Sequence, residues 1–191
     1  VGQVADDASV RLGGAPGMDN AEVLRRARAA HPKAHVIYKP HPDVEAGLRP
    51  GATAAPEADW IATNTPILPL IETAQEVWTL SSLAGFEALL RGVPVTCLGR
   101  PFYAGWGLTR DLGEPIPHRQ ARPSLDQLVH AVLIDYPIYV HPQTGLALRV
   151  EAAVEVLGQA GLFARSRKLA GLATLQRRFR RMMPLLRGAK R

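Results

Sequence analysis

Four short stretches of this sequence carry residue types that can do chemistry. In Lys39-Pro40-His41-Pro42-Asp43 two prolines flank a histidine, and because each fixes its own φ the imidazole is aimed instead of loose. A histidine so held can hydrogen-bond a phosphate and protonate a leaving group near neutral pH; a turn that merely contains a histidine reads equally well. Ser81-Ser82 supplies two hydroxyls. At a helix start they would join unpaired N–H groups in a phosphate site, although serine is also among the best plain N-caps. Glu87 would reach the ribose of a nucleotide held there, or simply complement the helix dipole. Asp6-Asp7 reads as a cap, a metal pair or a carboxylate nucleophile, with the metal pair the weakest because no further acids cluster in the other loops. Arg100-Pro101-Phe102-Tyr103-Ala104-Gly105-Trp106-Gly107 makes an aromatic loop suited to a sugar face or, as readily, to core packing.

The elements that must position these loops follow from the hydrophobic pattern. Strand-length Val, Ile and Leu runs at residues 1–4, 35–39, 76–80 and 94–98 alternate with amphipathic helix-length segments. That alternation predicts an α/β fold with a Rossmann-like parallel sheet covered by helices on both faces. Asp19-Asn20-Ala21-Glu22 resembles a capping box opening a helix to about residue 30, which His31-Pro32 stops. Ser81-Ser82 opens a second helix over 83–91, ended by Gly92 in a left-handed cap. Further helices are expected at 124–135 and 150–157, and the proline-rich stretch 49–69 reads as irregular. In such a sheet, ligands bind beyond the carboxyl ends of the strands, where all four chemical loops fall.

Length and composition fit one large globular unit, 191 residues at 47% hydrophobic. The net charge of +6 is unevenly placed: residues 1–164 hold all 17 acids and 13 of the 23 bases, whereas 165–191 hold ten bases and no acid. A mildly acidic lobe over 1–164 followed by a basic tail over 165–191 is expected, without nucleic-acid binding. In the tail Leu172, Leu175, Phe179, Met182, Met183 and Leu186 recur at helical spacing among Arg177, Arg178, Arg180 and Arg181, a pattern suited to an anionic membrane surface or to ordinary helix packing. Cys97, the single cysteine, cannot form an internal disulfide and reads as a buried thiol in a reducing compartment. No apolar run approaches the ~18 residues of a membrane span. Zinc spacing, a Gly-x-Gly-x-x-Gly turn and a Walker loop are all missing from the sequence, which disfavours NAD and ATP. The strand-like opening at Val1 suggests a piece of a longer polypeptide.

Taken in order, several motifs closely resemble the capsule polysaccharide biosynthesis and export family of the KpsC or LipB type. They are Gly2-Gln3 leading to Asp7-Ala8-Ser9, Tyr38-Lys39-Pro40-His41-Pro42-Asp43, the Ser81-Ser82 to Leu89 stretch, and Arg100 through Trp106-Gly107-Leu108-Thr109. Tyr136-Pro137 and His141-Pro142-Gln143-Thr144-Gly145 extend the resemblance over roughly residues 1–145. It implies the C-terminal lobe of a GT-B retaining β-Kdo glycosyltransferase that takes CMP-Kdo and a lipid-linked acceptor, its N-terminal lobe on the same parent chain. Asp7 would be the nucleophile. His41 would bind and neutralise the departing phosphate, Lys39, Ser81 and Ser82 would hold the nucleotide, and Glu87 would contact ribose. Arg100, Tyr103, Gly105 and Trp106 would form a donor or acceptor loop. The resemblance further implies no metal or other cofactor and a cytoplasmic site, peripheral on the inner membrane. The alternatives are a non-catalytic nucleotide-binding or scaffolding fragment, or a transferase of another CMP-sugar.

Overall fold

A computed structural model describes residues 1–14 and 17–159. These fall into two compact units, Val1–Leu128 and the described part of Val129–Arg191. In the first, β1 (Ile37–Tyr38) pairs with β2 (Trp60–Ile61), while β3 (Val77–Thr79), β4 (Val95–Cys97) and β5 (Arg110–Asp111) pair in that order; every pairing is parallel. Residues 1–4, expected as the first strand, form no ladder of their own. They run extended between the two pieces: the Val1 amino nitrogen donates to the Trp78 carbonyl at 2.8 Å and the Gly2 N–H to the Lys39 carbonyl at 2.8 Å. Gly2, Gln3 and Val4 are buried in that position.

Strand side chains alternate between faces, and the helices exploit this on both sides. Trp78, Leu80 and Leu98 cluster with Val23 and Ala27 of α2 (Asn20–Ala30), while Leu24 of the same helix packs with Tyr38 and Ala55. Val77, Thr79, Val95 and Cys97 occupy the alternate positions, and α5 (Leu83–Leu89) lies against β3 and β4, with α4 (Ile67–Thr73) beside it. The expected α/β fold with parallel strands is therefore the observed one. The expected cap of α2 forms as well, the Asp19 carboxylate accepting from the Glu22 N–H at 2.8 Å. Gly92, at φ +71°, takes the left-handed conformation that ends α5.

Two short helices and four strands depart from expectation. The helices α1 (Ala8–Gly13) and α3 (Pro42–Glu45) are too short to show a 3.6-residue period. Within the stretch expected to be irregular lie β2 and the start of α4; the two residues of β2 are too few to reveal alternation. The same brevity hides β5, an exposed edge pair, and the antiparallel hairpin of β6 (Tyr139–Val140) and β7 (Ala147–Leu148) in the second unit. The expected 124–135 helix is split into α6 (Leu125–His130) and a π-type turn, Ala131–Asp135; α7 (Val150–Gly158) matches its expected position. The tail at 165–191 lies outside the described residues, as does the expected boundary at 164. Among the described residues no helix is long and apolar enough to cross a membrane.

One buried side chain fastens these pieces. Gln3, 7% exposed, accepts from the Ser81 N–H at 2.8 Å and the Thr79 hydroxyl at 3.3 Å through Oε1, and donates from Nε2 to Ser81 Oγ at 3.1 Å. Its backbone N–H donates to Asn20 Oδ1 at 2.9 Å, and Asn20 Nδ2 returns a bond to the Gln3 carbonyl at 2.8 Å. Replacing the amide by an isosteric hydrocarbon strands buried donors, at about 1–3 kcal/mol each. Gln3→Leu is therefore expected to lower the urea midpoint clearly. Leu98→Ala, at a fully buried position, should cost about 2–5 kcal/mol, against less than about 0.5 kcal/mol for Leu12→Ala at a site 77% exposed. Equal midpoints for the two leucine variants would contradict the placement of this core.

Candidate functional site

The ends of β1 and β3 open onto a cleft of about 800 Å³ lined by Lys39, His41, Glu45, Asn64, Ser82 and Glu87, among others. His41 is the N-cap of α3, with Pro42 at the first helical position where its missing N–H costs nothing. Its Nδ1 accepts the Asp43 N–H at 3.1 Å, so the neutral ring carries its proton on Nε2 as a donor. Ser82 caps α5, its Oγ accepting the Ala84 N–H at 3.2 Å, and its own N–H is held by Thr79 Oγ1 at 3.1 Å. The Ser82 carbonyl accepts from the Tyr103 hydroxyl. The His41 and Ser82 side chains are thus each fixed by a bond to the backbone behind them.

Lys39 and Glu45 form a largely buried pair at 3.0 Å, and the other Glu45 oxygen accepts the Asn64 N–H. Asn64 sits at φ +50°, a conformation asparagine tolerates better than most residues. No sequence pattern singled out Glu45 or Asn64; Glu45 lies four residues beyond His41, on the one-turn helix that was not foreseen.

The remaining expected site residues stand outside the cleft lining. Asp7 caps α1: its Oδ1 accepts both the Ser9 N–H at 2.9 Å and the Ser9 hydroxyl at 2.7 Å. These bonds, with Arg49 and His41 as charge neighbours, hold its carboxyl below the usual value. Asp6 points elsewhere, paired with Arg49 at 2.6 Å. Ser81 faces Gln3 and the Ser9 carbonyl, so of the two serines only Ser82 lines the cleft.

The aromatic loop is a strut. Tyr103 is 1% exposed, stacked on Phe86, and burial pushes its hydroxyl pKa up; a Cβ at Gly85 would overlap that hydroxyl. Gly105, at φ +82°, donates its N–H to Asp111 at 2.8 Å. Trp106 donates to the Phe102 carbonyl at 2.7 Å beneath the Arg119 guanidinium, and the Arg100 N–H ties the loop to the Gly13 carbonyl at 2.7 Å. Among the described residues no three His, Cys, Asp or Glu side chains are set to hold a metal ion.

The Asn64 N–H, first, and Lys39 hold the Glu45 carboxyl below its ordinary value. The folded protein therefore releases this proton more readily than the unfolded chain. Its stabilising contribution is complete above the unfolded value and is lost as pH falls through the folded one. Between about pH 6 and about pH 3 the wild-type chain should lose more thermal stability than Glu45→Gln, which has no charge to neutralise. Parallel melting curves for the two proteins would remove this role from Glu45.

Residues 1–139 match the family described as capsule polysaccharide biosynthesis protein. LipA of Neisseria meningitidis serogroup B, a capsule polysaccharide modification protein, is 50% identical over 160 residues, covering 82% of this chain and 23% of LipA. LpsZ of Rhizobium meliloti, a lipopolysaccharide-processing protein, is 41% identical over 158 residues, covering 81% of this chain and 36% of its own length. Two solved structures of Thermosulfurimonas dismutans KpsC are similar in fold and sequence. The β-Kdo 2,7 transferase has a TM-score of 0.72 at 42% identity, covering 82% of this chain and 51% of that one. For the β-Kdo 2,4 transferase the values are 0.70 and 33%, with coverage of 81% and 49%. The chain spans about half of each solved structure and about a quarter to a third of the curated relatives. With its matching region over most of its length, the chain belongs to the capsule polysaccharide biosynthesis protein family.

Proposed function

We propose that this chain is the nucleotide-sugar-binding lobe of a GT-B glycosyltransferase that transfers Kdo from CMP-Kdo, with retention, to a lipid-linked glycan. The observation that carries the reading is the cleft in which Lys39, His41, Ser82 and Glu87 meet. An ammonium, an Nε2–H donor and a hydroxyl suit a phosphate, and a carboxylate beside them suits ribose hydroxyls. The Kdo donor is supported by the similarity to the two KpsC structures, a β-Kdo 2,7 and a β-Kdo 2,4 transferase.

Two displacements account for retention. An ionised Asp7 oxygen bonds to the anomeric carbon as that carbon's bond to the CMP phosphate oxygen breaks; the electron pair leaves with CMP, whose charge Lys39 and His41 offset. The acceptor hydroxyl oxygen then bonds to the same carbon, the ester to Asp7 breaks, and the hydroxyl proton passes to a base. The lowered Asp7 pKa favours the ionised form, and both Ser9 bonds fall on Oδ1, so the attacking oxygen would be Oδ2. The same Ser9 bonds favour a second reading, in which Asp7 is a helix cap in a nucleotide-binding lobe without catalysis. The basic tail at 165–191 would hold the lobe to the cytoplasmic face of the inner membrane.

Asparagine caps a helix about as well as aspartate but cannot act as the nucleophile, which separates the two readings. In the enzyme that carries this lobe, Asp7→Asn should lower transfer on the order of 10³-fold or more, with the melting temperature and CMP affinity little changed. Retained transfer in Asp7→Asn would leave only the cap. His41→Ala should weaken CMP binding by about tenfold or more in calorimetry without added metal, the loss of a charge-assisted hydrogen bond. For the tail, flotation with anionic vesicles should fall when Arg177, Arg178, Arg180 and Arg181 are changed to Glu; unchanged flotation would exclude the membrane role.

A further inference from the structure

Ser81 stands one residue from the cleft yet does not line it, and its hydroxyl is spent on the protein. It donates to the Ser9 carbonyl at 3.2 Å and accepts from Gln3 Nε2 at 3.1 Å. Ser9 in turn grips Asp7 Oδ1 through both its N–H and its hydroxyl. Gln3 and Ser81 are thus tied by hydrogen bonds to the backbone of Ser9, the residue whose N–H and hydroxyl hold the Asp7 carboxylate. From Ser81 the chain passes directly into Ser82, which does line the cleft. We infer that Ser81 is a positioning residue for the Asp7 carboxylate, fixing it relative to the Ser82 phosphate position, and not itself a phosphate contact. This rests on the reading of Asp7 as the nucleophile and of Ser82 as the phosphate contact.

The physical basis is geometric. A nucleophile must be held within a few tenths of an ångström of its line of attack, and Asp7 stands on a helix of only six residues that cannot hold itself rigid. The Ser81 hydroxyl anchors the first turn of that helix by its Ser9 carbonyl to the end of β3, the strand that also leads to the phosphate position. One hydroxyl thereby links the two reacting ends of the donor. The charged neighbours of Asp7 are Arg49, itself paired with Asp6, and His41; a change at Ser81 touches none of them.

Two measurements on the full chain separate the roles: CMP affinity by calorimetry, and titration of the Asp7 carboxyl carbon by NMR. In Ser81→Ala the CMP dissociation constant should stay within about twofold of wild type, while in Ser82→Ala it should rise about tenfold. The Asp7 midpoint should move up toward the ordinary carboxylate value in Ser81→Ala, as it should when Ser9→Ala removes the hydroxyl donor directly, and Ser81→Thr, which keeps the hydroxyl, should restore it. Ser81→Cys, close in size with a weaker donor, gives the same reading should the alanine variant not fold. CMP affinity lost equally in Ser81→Ala and Ser82→Ala would overturn the inference, as would an Asp7 midpoint unmoved by Ser81→Ala. Wild-type chain that binds no CMP would instead defeat the functional reading, and the Asp7 titration would still decide whether Ser81 positions that carboxylate.

Discussion

The structure depends on the buried amide of Gln3. A primary amide can accept and donate in opposite directions at once, and Gln3 uses both capacities on the single residue Ser81 while its backbone is matched to Asn20. Three segments far apart in sequence are clamped in this way: the extended opening, the start of α2, and the turn from β3 into α5. Asn20 adds a fourth by donating to the Gly51 carbonyl at 2.8 Å. An apolar residue at position 3 would fill the volume and leave buried donors without partners, so packing cannot substitute for the amide.

From that clamp follows the double use of the caps. Asp7, His41 and Ser82 each stand at a helix N-cap, and each spends one atom or lone pair there. Aspartate and histidine have a second polar atom, Oδ2 and Nε2, and a serine hydroxyl that accepts a bond still has its proton to donate. Structural and chemical roles are therefore compatible on one residue. The cap also fixes the rotamer, which is what makes the second atom directional. This is why the competing readings of these residues from sequence alone did not exclude one another.

What could be read in the sequence was what repeats. The strand-length apolar runs that became β3 and β4, the capping box of α2, and the Gly92 stop of α5 each sit in a local pattern of several residues. Short elements that lie outside any such run leave none, so α1, α3, β2 and β5 were invisible although two of them begin at site residues. The serine pair shows the other limit. Composition cannot tell which of two adjacent hydroxyls turns toward a cleft, because that depends on Gln3, a residue 78 positions away from Ser81. Composition likewise leaves Tyr103 open between a ligand contact and core packing, and its hydroxyl is committed to the Ser82 carbonyl.

Parallel pairing explains why so scattered a set of residues meets at all. Strands that run the same way end on the same edge, so the chain after each strand is delivered to one place whatever its sequence distance. The end of β1 delivers Lys39 and His41, that of β3 delivers Ser82, and the extended opening leads to Asp7. The end of β2 delivers Asn64, which was not anticipated and whose N–H holds the carboxylate paired with Lys39. Lys39 is thus restrained by a group from a different strand end, and an ammonium restrained before a ligand arrives loses less rotamer freedom on binding than a free one. The pair also lowers the net positive charge offered to a phosphate. A site built this way gains direction at the expense of raw attraction, a balance that would suit the proposed transfer, in which the product nucleotide has to leave.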